Sequence, residues 1–356
     1  MILNDWIHHP GAWLAATGDD SSVGGVIVSS RIRLARNFAG LAFPGWAGEE
    51  ECVRIQARVR EILPSLKTLS PCLSLDMAGL APVDREFLRE RHLISNDLAR
   101  KEKGSGVVVR HDEVLSIMVN EEDHLRLQAM RPGFQLPALW VEINALDDEI
   151  ERSLPYAHSR MLGYLTACPT NVGTGLRASV MVHVPGLRLM NEIDPIIKGL
   201  TKIGLAVRGL QGEGTEASGN MFQISNQATL GESEAVIIER LIQIVREVAD
   251  HEMNARARLL EGREAAVEDY VGRAYGVLCH ARVLASQETL EMLSALRLGC
   301  ELGIVSGLDV AEVNRLILFT LPGHLQKSEG RSIPPDERDQ VRARLVRECI
   351  RKASLQ

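Results

Sequence analysis

Aromatic residues are scarce in this 356-residue chain: 4 Trp, 4 Tyr and 6 Phe, or 4% of the total. A core with so few rings must be packed from Leu, Ile, Val and Ala. Basic charge is not in excess either. Lys and Arg number 40 against 47 Asp and Glu, a formal net charge of −7. That balance argues against general polyanion binding, since nucleic-acid domains usually carry a basic surplus. No stretch approaches the roughly 18 uninterrupted apolar residues of a membrane span. Met1 to Pro10 has neither the basic nor the apolar segment of a secretory leader. The 6 cysteines, at 52, 72, 168, 279, 300 and 349, form no Cys-x-x-Cys and no Cys/His spacing suited to zinc. Isolated thiols point to a reducing compartment. The expectation is a soluble cytoplasmic protein that engages neither membrane nor nucleic acid directly.

Two familiar phosphate and metal signatures are also missing. There is no Gly-x-x-x-x-Gly-Lys-Ser/Thr, and the 10 histidines form no His-Glu-x-x-His pair. Gly173-Thr174-Gly175-Leu176-Arg177-Ala178 has the spacing of a dinucleotide fingerprint, but a β-branched strand follows where a helix should open. Gly212-Glu213-Gly214-Thr215-Glu216-Ala217 places carboxylates where a pyrophosphate would lie. Both read as turns.

What is present is an ordinary globular composition, 45% apolar and 24% charged, of a length that suggests two domains at about 150 residues each. Residues 26–34 alternate, so that Ile27, Ser29, Arg31 and Arg33 share one face and Val28, Ser30, Ile32 and Leu34 the other. Residues 107–119 read as a hairpin, and 178–184 alternate again. Helices are expected over 49–63, 84–93, 194–203 and 234–260. Beyond about residue 261 strand signals vanish, and 264–284, 286–298, 309–321 and 335–352 read as helices, with breaks at Leu321-Pro322-Gly323 and Gly330 to Pro335. An α+β domain over 1–260 and a helical domain over 261–356 follow.

Arginines stand at the edges of these strands and loops: Arg31, Arg33, Arg126, Arg177 and Arg208. A guanidinium beside apolar residues cannot shed its charge and must find an anion. One such residue is explained by a local carboxylate; five suit the oxygens of a nucleoside triphosphate, which planar forks bind in bidentate fashion. Acidic turns accompany them, Asn120-Glu121-Glu122-Asp123-His124 and Gly212-Glu213-Gly214 with Glu216. Carboxylates beside a phosphate clamp repel the nucleotide unless a metal ion or a cationic acceptor lies between.

Five strings carry a resemblance: residues 29–33 (Ser-Ser-Arg-Ile-Arg), 120–126, 168–179, 208–216 and 224–227. Their order and content resemble the phosphagen (guanidino) kinases, and most closely the bacterial protein-arginine kinase branch. The early position of Ser29 leaves no room for the small helical N-terminal domain of the metabolic enzymes, a helical segment follows the catalytic part, and Arg338-Asp339-Gln340-Val341-Arg342-Ala343 is similar to the branch's R-D-x-x-R-A pattern. The resemblance implies a glutamine-synthetase-like catalytic domain with a mainly antiparallel sheet flanked by helices, followed by a small all-helical domain. It implies an ATP-dependent kinase that phosphorylates arginines of proteins, marking them for degradation or switching a stress repressor.

The same resemblance implies the site. Arg31, Arg33, Arg126, Arg177 and Arg208 hold ATP phosphates, with Ser29, Ser30, Ile32, His92, Ala178, Ser179, Val180, Met181, Gly209, Leu210, Gln211, Gly212 and Glu213 completing the nucleotide site. Glu122 and Glu213 grip the acceptor guanidinium, with Cys168 close by. Mg2+ bridges the phosphates through mostly water ligands, Glu121 lying beyond them, with no protein cage of oxygens for a resident metal. Arg338, Asp339, Arg342 and Ala343 bind phosphoarginine allosterically. Implied partners are protein substrates, a zinc-binding activator, a heat-shock repressor, an AAA+ unfoldase–protease and a second copy of the chain. Two other readings stay open: a metabolic guanidino kinase acting on a small acceptor, and a catalytically inactive phosphoarginine-binding adaptor.

Overall fold

The alternating segment after Val26 is a strand in the computed structural model, which describes residues 2–14, 25–209 and 218–355. This strand, β1 (Ile27–Arg36), follows a short N-terminal helix, α1 (Ile2–Asp5). As the alternation predicts, Ser30, Ile32 and Leu34 are buried while Arg31 and Arg33 keep partial exposure. Then come α2 (Glu49–Ile62), β2 (Cys72–Asp76), α3 (Pro82–Glu90), α4 (Asn96–Ala99), β3 (Gly106–Arg110), β4 (Leu115–Val119), β5 (Leu125–Pro132) and α5 (Leu136–Ser153). The chain continues through β6 (His158–Ser159), β7 (Gly163–Tyr164), β8 (Leu176–His183), α6 (Pro185–Leu189), α7 (Ile193–Lys202), β9 (Leu205–Gly209), β10 (Met221–Asn226) and α8 (Glu234–His280). Last are α9 (Ser286–Glu301), β11 (Val305–Ser306), α10 (Val310–Phe319), α11 (Pro322–Glu329), α12 (Pro335–Cys349) and β12 (Ser354–Leu355).

The chain forms two compact units. One comprises Ser29–Ser179 and Ser225–Gln243; the other comprises Met1–Val28, Val180–Ile224 and Ile244–Gln356. In the first, the strand order runs β2-β3-β4-β5-β1 and then β8, with antiparallel pairing from β2 through to β1. Register places Arg33 opposite Gln128 and Ala35 opposite Arg126. Cross-strand partners share a face, so Arg31, Arg33 and Arg126 project from the same side of the sheet. Helix α5 packs against β5. Its buried Leu136, Leu139, Ile143, Leu146 and Ile150 recur at helical spacing on a single stripe.

The glycines of the apparent dinucleotide fingerprint serve close packing. Gly173 has φ +112, and a Cβ there would meet the Thr229 carbonyl oxygen at 2.3 Å. The segment runs directly into β8, so no helix opens to receive a pyrophosphate.

In the second unit the strand order is β8-β10-β9. Helix α10 starts with a reciprocal capping box between Asp309 and Glu312. Two details differ from expectation. The break at Leu321-Pro322-Gly323 is the start of α11, because a proline at the first helical position gives up an N–H that has no partner there anyway. The C-terminal part also holds a two-residue ladder, Val305–Ser306 with Ser354–Leu355, too short to leave a periodic signal. Helix α8 runs through the expected junction near 260, interrupted only in its backbone angles at Arg263 (φ −145).

Candidate functional site

Four of the five expected arginines belong to the first unit. Arg31 and Arg33 stand on β1, Arg126 near the start of β5 and Arg177 near the start of β8. They lie within mutual electrostatic reach. Burial, then repulsion from Arg126 and Arg177, pushes Arg31 down to about 9. Burial and then Arg31, Arg126 and Arg177 push Arg33 well below the ordinary arginine value, with Glu121 opposing. Guanidinium groups stay protonated in proteins, so these directions record a concentration of positive potential. Arg33 Nε is buried and has no hydrogen-bond partner among the described residues. Ser179 Oγ lies 3.5 Å from Arg31 Nε, and Ser225 Oγ 3.4 Å from Arg177 Nη2. Two other buried arginines behave differently: Arg36 is bonded to Asp147 at 2.7 Å, and Arg91 Nε donates to Glu113 at 3.0 Å.

The strand residues around the cluster are scaffolding. Ser30 Oγ donates to the Gly133 carbonyl at 2.8 Å and accepts from Gln135 N at 3.0 Å. Ala178 N donates to Asn226 Oδ1 at 2.8 Å. Ser29, Ile32, Ala178, Ser179, Val180 and Met181 are all buried.

The acidic turn between β4 and β5 is pinned at nearly every residue. Asn120 adopts a left-handed φ of 54, and its side chain donates to the carbonyls of Cys52 and Gly104 at 2.9 and 2.6 Å. Asp123 accepts from Asn37 Nδ2 and Ala167 N, both at 2.6 Å. His124 accepts from Phe38 N at 3.0 Å through Nδ1, which leaves Nε2 to donate to the Ala42 carbonyl at 3.0 Å. Arg126 Nη1 donates to Glu121 at 2.6 Å, and Ser95 bonds the same carboxylate. Glu122 alone in this turn is exposed. It lines a 570 Å³ cavity with Gly45, Asp97, Arg100, Lys101 and Ala167. Partial burial, then the charges of Asp123, Glu121 and Asp97, raise its carboxyl above the ordinary glutamate value against the pull of Arg126.

His92 follows α3 with φ 58, a left-handed conformation uncommon outside glycine. Its carbonyl accepts from Gln128 Nε2 at 2.6 Å. Burial, then Arg31, Arg89 and Arg33, pushes the imidazole down to about 3, so it is neutral near pH 7. Cys168 is half-buried, 3.0 Å from Thr170 Oγ1; the Ala167–Asp123 bond ties its loop to the acidic turn.

Arg208 belongs to the second unit, exposed near the end of β9, with Gly209 closing that strand. Leu210, Gln211, Gly212 and Glu213 lie outside the described residues. The hexapeptide of the C-terminal region lies on α12. Arg342 is buried there, and donates to the carbonyls of Thr320 at 2.8 Å and Leu284 at 2.6 Å, and to Asp339. Ala343 is buried, whereas Arg338 is half-buried, with no side-chain bond among the described residues.

Several residues that build the site carried no signal in the sequence. Asn37 and Ser95 lie 86 and 26 residues from the carboxylates they hold. His124 was visible only as part of an acidic turn.

Residues 54–255 match the family model described as ATP:guanido phosphotransferase, C-terminal catalytic domain, and residues 264–356 that described as protein-arginine kinase McsB C-terminal domain. The chain is 46% identical over 351 residues to a protein-arginine kinase of Pelotomaculum thermopropionicum, covering 98% of each. It is 47% identical over 353 residues to that of Moorella thermoacetica, covering 98% of this chain and 99% of the relative. Among solved structures, a lombricine kinase is similar with a TM-score of 0.58 and 27% identity, over 72% of this chain and 76% of the other.

Proposed function

The chain belongs to the protein-arginine kinases of the ATP:guanido phosphotransferase family, and from that premise we propose that it transfers the γ-phosphoryl group of ATP to arginine side chains of protein substrates. One observation carries the reading: Arg31, Arg33, Arg126 and Arg177 concentrate positive potential on one face, while the turn leading into Arg126 presents Glu122 to solvent.

Forks of donors fit phosphate oxygens. The cluster, with Arg208 from β9, holds the triphosphate and offsets charge as the γ-phosphoryl group moves. Neutral His92 lines the nucleotide site without adding charge. Glu122 and Glu213 take the acceptor guanidinium. A guanidinium is a poor nucleophile because its lone pairs are delocalised; two carboxylates orient it and draw a proton from the attacking nitrogen. The N–P bond forms, the bond from γ-phosphorus to the β,γ-bridging oxygen breaks, ADP leaves, and the proton passes to Glu122. Cys168 sits on the loop beside this carboxylate and would contact the guanidinium.

Magnesium enters as part of the nucleotide substrate, where it neutralises phosphate charge. Both oxygens of Glu121 are engaged by Arg126 and Ser95, so this residue reaches the ion only through water.

The proposal extends to organisation. The junction between the two family models, at 255 and 264, and the irregular Arg263 within α8 support a catalytic domain over 1–260 and a regulatory domain over 261–356. There Arg338, Asp339, Arg342 and Ala343 form the phosphoarginine site, and the apolar helices from 286 to 321 provide a dimer surface. Six unpaired cysteines and no described helix long and apolar enough to cross a membrane support a cytoplasmic setting. An activator, a repressor and an unfoldase–protease as partners belong to the same proposal.

Incubation with ATP, Mg2+ and either free arginine or a loosely folded protein tests it, with mass spectrometry at neutral pH to preserve the labile N–P bond. Phosphoarginine in the protein supports the reading. Phosphorylation of free arginine alone assigns a small-acceptor kinase.

A further inference from the structure

The loop between β1 and α2 holds one of the most exposed large apolar side chains in the molecule. Trp46 is 91% exposed, and Leu41 on the same loop is 37% exposed. Such a ring on an ordered loop keeps its apolar surface in water, and aromatics in that position are enriched where a partner docks. The loop is not loose. Trp46 N and Ala47 N donate to the Phe43 carbonyl at 2.8 and 2.9 Å. The Ala42 carbonyl accepts from His124 Nε2, and the Phe43 ring meets the His124 ring edge-on at 6.2 Å.

His124 is the residue that also pins the acidic turn, so the turn bearing Glu122 and the loop bearing Trp46 share one anchor. Gly45, next to Trp46, lines the same cavity as Glu122, together with Asp97, Arg100 and Lys101. Leu41 of the same loop also lines a 180 Å³ recess with Phe38, Ile55, Leu154 and Arg58. A cavity that presents the exposed carboxylate of Glu122, next to an exposed indole and a largely apolar recess, suits an arginine flanked by apolar residues. A free amino acid has nothing to place on the latter two.

We propose that Trp46 is a specificity-determining residue: it forms the platform on which the polypeptide flanking the target arginine docks while the guanidinium enters the Glu122 cavity. The occupant is a loosely folded protein segment with an apolar side chain near its arginine. This inference rests on the kinase reading above and names which part of the substrate the chain grips.

The test compares wild type, Trp46→Ala and Trp46→Phe with an arginine-centred peptide carrying apolar flanks. Trp46→Ala raises the KM for the peptide about tenfold, the size expected for a truncated docking residue, with kcat at saturating peptide and the KM for ATP retained. Trp46→Phe stays within about threefold of wild type, since a ring of similar character remains. A citrulline version of the peptide, which cannot be phosphorylated, shifts tryptophan emission to the blue in wild type and not in Trp46→Phe. An unchanged peptide KM in Trp46→Ala overturns the platform while leaving the kinase reading intact. A wild-type protein that phosphorylates no arginine overturns the kinase reading and this inference with it.

Discussion

Arg126 Nη1 donates to both oxygens of Glu121, at 2.7 and 2.6 Å, and Ser95 adds a third bond to the same carboxylate. This buried carboxylate fixes one guanidinium fork of the cluster and tempers the charge at Arg33. Burial pushes its carboxyl up, but Arg126, Ser95 and Arg33 outweigh that, and the net direction is down.

Glu121→Gln therefore weakens the fold and the nucleotide site together. Removing one partner of a buried pair costs about 3 kcal/mol, read as a lower urea midpoint at pH 7. A depressed carboxyl contributes stability above its ordinary value of 4.5 and loses it as pH falls through the folded value. The variant accordingly shows a flatter decline of stability below about pH 4.5. Identical acid profiles for variant and wild type would contradict the role assigned to this carboxylate.

His92 titrates below its ordinary range, at about 3. The folded protein binds this proton less readily than the unfolded chain, so stability from this residue is present above about pH 6.5 and declines as pH falls toward 3. His92→Asn, which tolerates the left-handed backbone, reduces that decline and raises the KM for ATP several-fold. His92→Val, β-branched at a positive φ, loses stability as well. An inflection near pH 6.5 in the KM for ATP, abolished in His92→Asn, would show a charged imidazole and refute the assignment.

The two arginines of the α12 site are held differently. Arg342 is spent on the carbonyls of Thr320 and Leu284 and on Asp339, so Arg342→Ala leaves buried acceptors unpaired and costs about 2–3 kcal/mol of stability. Arg338 holds no such bonds. Arg338→Ala keeps the urea midpoint, and the ratio of kinase rates with and without free phosphoarginine falls to one. A variant still stimulated by phosphoarginine removes Arg338 from the allosteric proposal.

The arginine face was legible because strand alternation has a period of two: Arg31 and Arg33 had to share a side opposite Ser30, Ile32 and Leu34, and they do. The amphipathic α2, α7 and α9 were legible from helical spacing. Residues coupled across the chain were not. Arg36, on the opposite face of β1 from Arg31 and Arg33, is bonded to Asp147, 111 residues away. The Asn37–Asp123 and His124–Ala42 bonds that hold the acidic turn follow from the β1–β5 register, which no local pattern encodes. Short elements such as β2 and α11 were hidden for another reason. A few residues cannot establish a period, and Pro322 reads as a stop until the helix it starts is seen.

The most direct measurement compares wild type with Glu122→Gln, each given ATP, Mg2+ and a loosely folded protein, by counting phosphoarginines at neutral pH alongside the affinity for ATP. The account predicts abundant phosphoarginine with wild type. In the variant it predicts a rate at least about a hundredfold lower, the scale of losing a positioning and charge-stabilising group, with ATP affinity within about twofold because the arginine cluster is untouched. Equal phosphoarginine yields from the two proteins, or none from either, would contradict it.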